Sequence, residues 1–219
     1  EVEGYFKDFL QLTSINHNKI FPDEPQYANR PAELREDFIV QTGEAMGLDF
    51  LLKYRTDRIR LRGVYSLMKV TRWDGIQEYA PAFDRRHSVN ILGSYHFGKD
   101  KQWEVSARWN FGSGFPFTRD QAYYENFTPQ GGQNLNYKQG NGELGIVYED
   151  INQGRLPPYH RLDLSLKRKW DLKKLGKLVA TLGVTNAYDR RNIFFVDRVT
   201  RERTDQLPIL PSLGVKMNF

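Results

Sequence analysis

A chain of 219 residues is long enough for one large domain, and its composition limits what that domain can be. Hydrophobic residues make up 39%, mean hydropathy is −0.65, and no run approaches the roughly eighteen apolar residues of a transmembrane helix. The absence of cysteine removes disulfides, thiolate metal sites and cysteine nucleophiles. The net charge of +5 comes from 32 basic and 27 acidic residues mixed along the chain, with no basic tract or motif suited to nucleic acid.

Val2, Gly4 and Phe6 alternate with Glu3, Tyr5 and Lys7, which predicts a first strand over 1–12. Pro22, Pro25 and Pro31 make the polar stretch 13–40 a long loop. The next strand, 42–55, places Met46, Leu48, Phe50, Leu52 and Tyr54 on one face and Ala45, Gly47, Asp49, Lys53 and Arg55 on the other, with Leu51 the one misfit. A short turn at 56–58 leads to a third strand, where Ile59, Leu61, Gly63, Tyr65 and Leu67 oppose Arg60, Arg62, Val64, Ser66 and Met68. After a medium loop with Trp73, Gly75 and Pro81, a fourth strand sets Val89, Ile91, Tyr95 and Phe97 against Ser88, Asn90, Ser94 and His96. The turn 98–101 feeds a fifth, with Trp103, Val105, Ala107, Trp109 and Phe111 against Gln102, Glu104, Ser106, Arg108 and Asn110. Residues 112–157 read as the longest irregular stretch. A sixth strand over 159–170 puts Leu162, Leu164, Leu166 and Trp170 opposite Arg161, Asp163, Ser165, Lys167 and Lys169. Beyond the turn 171–177, a seventh sets Leu178, Ala180, Leu182 and Val184 against Val179, Thr181, Gly183 and Thr185. A loop over 188–211, with a short β extension at 193–199, leads to the last strand.

In that last strand Leu213, Val215, Met217 and Phe219 share one face, and Ser212, Gly214, Lys216 and Asn218 the other. The same pattern fits a half-buried strand of a soluble sheet, so alternation alone leaves both architectures open. The connections decide more, because they run long, short, medium, short, very long, short, long. Outer-membrane barrels have short periplasmic turns and longer external loops, whereas a 40-residue loop counts against a compact soluble domain. The expected fold is all-β, an antiparallel up-and-down transmembrane β-barrel, with Leu162, Leu164, Leu166, Trp103, Val105, Trp109, Val215 and Met217 facing lipid.

Particular runs resemble a known family. They are Gly43-Glu44-Ala45-Met46-Gly47-Leu48-Asp49-Phe50, Tyr65-Ser66-Leu67 and Asp84-Arg85-Arg86-His87, then Leu156-Pro157-Pro158-Tyr159-His160-Arg161-Leu162-Asp163-Leu164, Val184-Thr185-Asn186-Ala187-Tyr188-Asp189-Arg190-Arg191-Asn192, and the closing stretch 208–219. In order and spacing they resemble the later barrel strands of TonB-dependent outer-membrane receptors, in a branch that often carries a carboxypeptidase-regulatory-like domain at its amino end. The resemblance implies a 22-stranded barrel around a plug, located in the outer membrane of a Gram-negative bacterium, and solute uptake energised indirectly through TonB. It further implies as partners outer-membrane lipid, the remainder of the barrel and the plug on the same or another polypeptide, the barrel-assembly machinery and surface lipoproteins. This chain supplies about eight strands, 1–219, with no plug or TonB box, so a closed eight-stranded barrel with a structural or adhesive role is an alternative. A soluble glycan-binding β-sandwich is another.

No enzyme, cofactor or metal site is expected. His17, His87, His96 and His160 lack ligand spacing, and no Gly-x-Ser-x-Gly turn serves a nucleophile. Asp49, Arg60, Arg62, Glu104, Arg108, Arg161 and Asp163 read as lumen-lining charges that pair across strands, hold a plug or line a solute path. Tyr123, Tyr124, Phe127 and Tyr137 read as loop aromatics for ligand contact, with packing of the loop on itself as the competing role. Leu213, Val215, Met217 and Phe219 resemble the terminal signal that the barrel-assembly machinery recognises.

Overall fold

The computed structural model describes residues 1–21, 25–126, 143–173, 176–197, 200 and 202–218. Its elements in chain order are β1 (Val2–Ile15), β2 (Phe38–Arg55), β3 (Ile59–Trp73), β4 (Glu78–Tyr79), β5 (His87–Phe97), β6 (Trp103–Gly112), β7 (Pro116–Phe117), β8 (Asp120–Asn126), β9 (Glu143–Tyr148), β10 (Gly154–Arg155), β11 (Tyr159–Asp171), β12 (Lys177–Thr185), β13 (Ile193–Val196), β14 (Arg203–Asp205) and β15 (Leu210–Asn218). Eight of them form one antiparallel meander in the order β1-β2-β3-β5-β6-β11-β12-β15. Among the described residues β1 and β15 do not pair with each other, so the sheet is an open barrel wall and not the closed eight-stranded barrel of the alternative.

Each strand reverses the last, so the short connections at 56–58, 98–102 and 172–176 fall at one end of the sheet and the long ones at the other. The second and third are tightened by glycines with positive φ, Gly98 at 90° and Gly176 at 95°, a region open to glycine without a Cβ clash, and the first by Thr56, whose hydroxyl accepts the Ile59 amide (3.0 Å).

Register fixes the faces, because directly paired residues of an antiparallel sheet point the same way. One outward row runs Leu48, Leu67, His87 and another runs Gly93, Ala107, Leu164, Val184, Pro211. The eight residues expected to face lipid all lie on this side. It is exposed and apolar at once: Leu213 is 73% and Leu52 63% accessible. Conversely, the buried apolar residues described are only Ile39, Tyr79 and Ile151, far too few for the core of a soluble domain of this length.

Several strands exceed their sequence-based limits at the loop end: β1 runs to Ile15, β2 begins at Phe38 and β3 ends at Trp73. Nor is 112–157 wholly irregular, since β8 pairs with β9 and β7 with β10. The extension near 193 is a small hairpin of β13 and β14.

Apart from His96, the buried polar groups among the described residues cluster at the loop end, where polar side chains stitch neighbouring loops. Asn18 donates Nδ2–H to Asp74 (2.8 Å), and Asn152 donates to the Ala80 carbonyl (2.8 Å). Asp84, fully buried, accepts from the Val70 amide (3.1 Å) and pairs with Arg155 (2.6 Å). Arg190 donates to the Pro158 carbonyl (2.9 Å). Four successive loops are thereby tied side by side, which explains the motif around Asp84: its carboxylate serves the long loop and not its neighbours Arg85 and Arg86.

Candidate functional site

The inner face carries the polar alternates. Near the centre of the sheet most of its charges are paired. Glu104, on β6, meets Lys167 (3.3 Å), Lys169 (3.9 Å) and His96 (3.3 Å), and Ser106 donates to the same carboxylate (3.3 Å). Asp163, on β11, pairs with Arg161 (2.9 Å), and its second oxygen accepts the Asn186 amide (3.0 Å). Asn186 is fully buried at φ 55° and bonds through Nδ2 to the Arg190 and Leu207 carbonyls (3.0 and 3.1 Å). Asn192 exchanges two bonds with the His160 backbone (3.2 and 2.9 Å). The run from Val184 to Asn192 is therefore a structural corner, in which asparagine side chains stand in for a backbone ladder.

Toward β1 the inner face differs. Register sets Lys53 directly opposite Arg62, and Arg55 opposite Arg60. The side chains of Arg60, Arg62 and Asp49 here, and of Arg108 on β6, have no hydrogen-bond or ion-pair partner among the described residues. Glu3 opposes Asp49 across β1 and β2, so the like-charge pairing holds for acids as well. Of the seven expected lumen charges, all lie on the inner face, but the structure brings only Glu104 and the Arg161–Asp163 pair into ion pairs. Leu51, the misfit of β2, also points inward, opposite Val64.

At the loop end a cavity of about 540 Å³ opens between the β5, β6, β11 and β12 loop roots. Arg85, Arg190, Arg191 and Arg203 line it without a carboxylate among the lining residues, beside the rings of Phe115, Tyr159, His160 and Tyr188. The Arg85 guanidinium sits over Phe115 at 4.2 Å and covers Gly112, where a Cβ would meet it at 2.5 Å. Its Nε and that of Arg190 are buried without partners among the described residues. Burial pulls the Arg85 pKa below its ordinary value, with Tyr159 acting the other way. The sequence places Arg85, Arg190 and Arg191 in family motifs and Arg203 in none, and it does not gather them in a cavity, because Arg85 comes from a loop more than a hundred residues from the other three.

The loop aromatics are not gathered there. Tyr123 donates to Asp120 within its own hairpin (2.9 Å), and Tyr124 is half exposed and covers Gly145. Phe127 and Tyr137 lie outside the described residues, as does Phe219 of the terminal signal. Leu213, Val215 and Met217 line the outward face of the edge strand β15. Among the described residues no group of histidines and acids has the arrangement of a metal site.

No family model matches the sequence, and no curated protein does. A solved structure, that of the FpvAI–pyocin S2 complex, superimposes with a TM-score of 0.58 at 9% identity, over 99% of this chain and 23% of that one. The chain thus spans about a quarter of that protein's length, and the likeness establishes what the sheet itself shows: an antiparallel β-barrel wall.

Proposed function

We propose that the chain is the carboxy-terminal wall of an outer-membrane receptor that takes up a solute with energy delivered through TonB, and that it is not an enzyme. The observation that carries this is the pairing of an exposed apolar outer face with a charged inner face on one wall whose loops are sorted by length to opposite ends. FpvAI, a structural neighbour, is a TonB-dependent receptor, and the shared fold is compatible with this reading. In this role the outer face meets lipid, the inner face meets a plug, and the loop-end cavity meets the solute. The open edges at β1 and β15 require further strands, since lipid leaves backbone N–H and C=O groups unsatisfied.

Topology and depth test the proposal. In intact cells a membrane-impermeant thiol reagent should modify Ala82→Cys on the loop side and miss Asp100→Cys on the turn side. Leu164→Arg, near the middle of the outward apolar row, should destabilise the protein in bilayers by about 2–4 kcal/mol. Labelling of both cysteines from outside, or an Arg variant of full stability, would overturn the membrane assignment. Uptake that persists without TonB would overturn the energised role alone.

A further inference from the structure

Toward the short-turn end of the outward face, one charged side chain stands among the described residues. It is Arg168, which pairs in register with Trp103 on β6 and with Ala180 on β12. The alternation of β11 assigns it to the side of Leu162, Leu164 and Leu166, where an arginine is costly unless it serves a purpose. Its guanidinium carbon lies 4.7 Å from the Trp103 ring and 4.7 Å from the Trp170 ring, so two indoles hold one cation. The row continues through Phe97, stacked on Trp103 at 6.0 Å, to Tyr95, stacked on Phe97 at 6.0 Å. Aromatic rows of this kind mark the level where hydrocarbon gives way to headgroups. Arg168 has no ion-pair partner among the described residues, and its Nε is buried and unbonded. The nearest acid in sequence, Asp171, belongs to the inward set and accepts the Lys173 amide.

From this arrangement we infer that Trp103, Arg168 and Trp170 form a phospholipid-headgroup site on the outer surface of the wall. The indoles fix the guanidinium, whose remaining N–H donors match the fork geometry of a phosphodiester. Ala180, opposite Arg168, leaves that flank low, while Leu166, Val105 and Leu182 continue the apolar surface along which acyl chains lie. The occupant is a diacyl phospholipid of the periplasmic leaflet, since the site combines one cation with continuous apolar surface at the short-turn end. The inference rests on the membrane assignment above but not on solute or TonB.

Native mass spectrometry of the full-length protein in detergent tests it with three probes added separately: phosphatidylglycerol, diacylglycerol and inorganic phosphate. The wild type should retain a first phosphatidylglycerol adduct that neither other probe reproduces. Arg168→Gln should lower its occupancy roughly tenfold, the order expected for one charge-assisted pair, and Arg168→Lys should lower it less. Heat-modifiable gel migration, which reports the folded barrel, should be unchanged in both variants. Retention of the adduct by folded Arg168→Gln would mean that the guanidinium only reaches out to water, and would overturn the site. Equal binding of diacylglycerol would reduce it to apolar contact, and equal binding of inorganic phosphate to a free-anion site; either result also overturns it. Failure of the wild type to insert into vesicles would instead remove the membrane assignment.

Discussion

The inner wall has two halves that handle charge in opposite ways. Across β5, β6 and β11, Glu104 collects His96, Lys167 and Lys169, and Asp163 holds Arg161 while anchoring the Asn186 corner. Across β2 and β3, Lys53 faces Arg62 and Arg55 faces Arg60, and none of the four makes an ion pair among the described residues. The first half holds most of its charges in ion pairs of its own, with Arg108 left over, and serves the wall. The second is left positive, and like charges directly opposite one another oppose pairing unless something outside the chain compensates them. On one continuous sheet, then, paired charge belongs to the scaffold, and the unpaired cations of β2 and β3 are the ones that the receptor role proposed above would set against a plug.

Substitutions should separate the halves, most strongly at Glu104. Its side chain is only 17% accessible, and Glu104→Leu leaves Lys167 and Lys169 facing one another without their shared carboxylate, which should cost about 1–3 kcal/mol in urea unfolding of the full-length protein in detergent. Asp163→Asn should cost less, about 1–2 kcal/mol, because the Arg161 partner is partly solvated while the Asn186 amide keeps a weaker acceptor. Arg62→Gln should have the smallest effect and the opposite sign, a gain of up to about 1 kcal/mol in protein lacking the plug, where relief from Lys53 dominates. If this face meets the plug of the proposed receptor, the same substitution should destabilise the plugged protein, since the cation then loses its complement. Identical signs with and without the plug would break the comparison.

How much of this was legible in the sequence depends on the range of the interaction. Period-two alternation is local, so β5, β6, β11 and the closing strand were readable, and with them the outer face. Phe38-Ile39-Val40-Gln41 was not: its inward members are Ile39 and the buried Gln41, whose amide oxygen accepts the Tyr79 hydroxyl (2.9 Å), and that partner is 38 residues away. Arg168 fell between apolar alternates with no assigned face, because two tryptophans, one of them on another strand, make its position tolerable. The arginines around the loop-end cavity and the Asp84–Arg155 pair, 71 residues apart, have no local signature at all. The hairpin of β8 and β9 was hidden for a different reason, being a short ladder inside a Gly- and Asn-rich stretch whose composition favours turns.

The root of that excursion has a consequence for how such a protein varies. Where the chain leaves β6 and returns to β11, the strands β7 and β10 pair, Leu156 donates to the Phe115 carbonyl (2.9 Å), and the backbones pass so closely that a Cβ at Gly114 would meet the Leu156 oxygen at 1.5 Å. The two ends of the excursion are thus clasped before it begins, and the register of β6 with β11 is set below the clasp. Loop-closure entropy grows only slowly with length, so segments of very different size can be carried above the same clasp at little cost to the wall. The length of the stretch between Phe117 and Gly154 is thereby uncoupled from the register of the wall: inserting or removing residues there should leave the pairing of β6 with β11 in place.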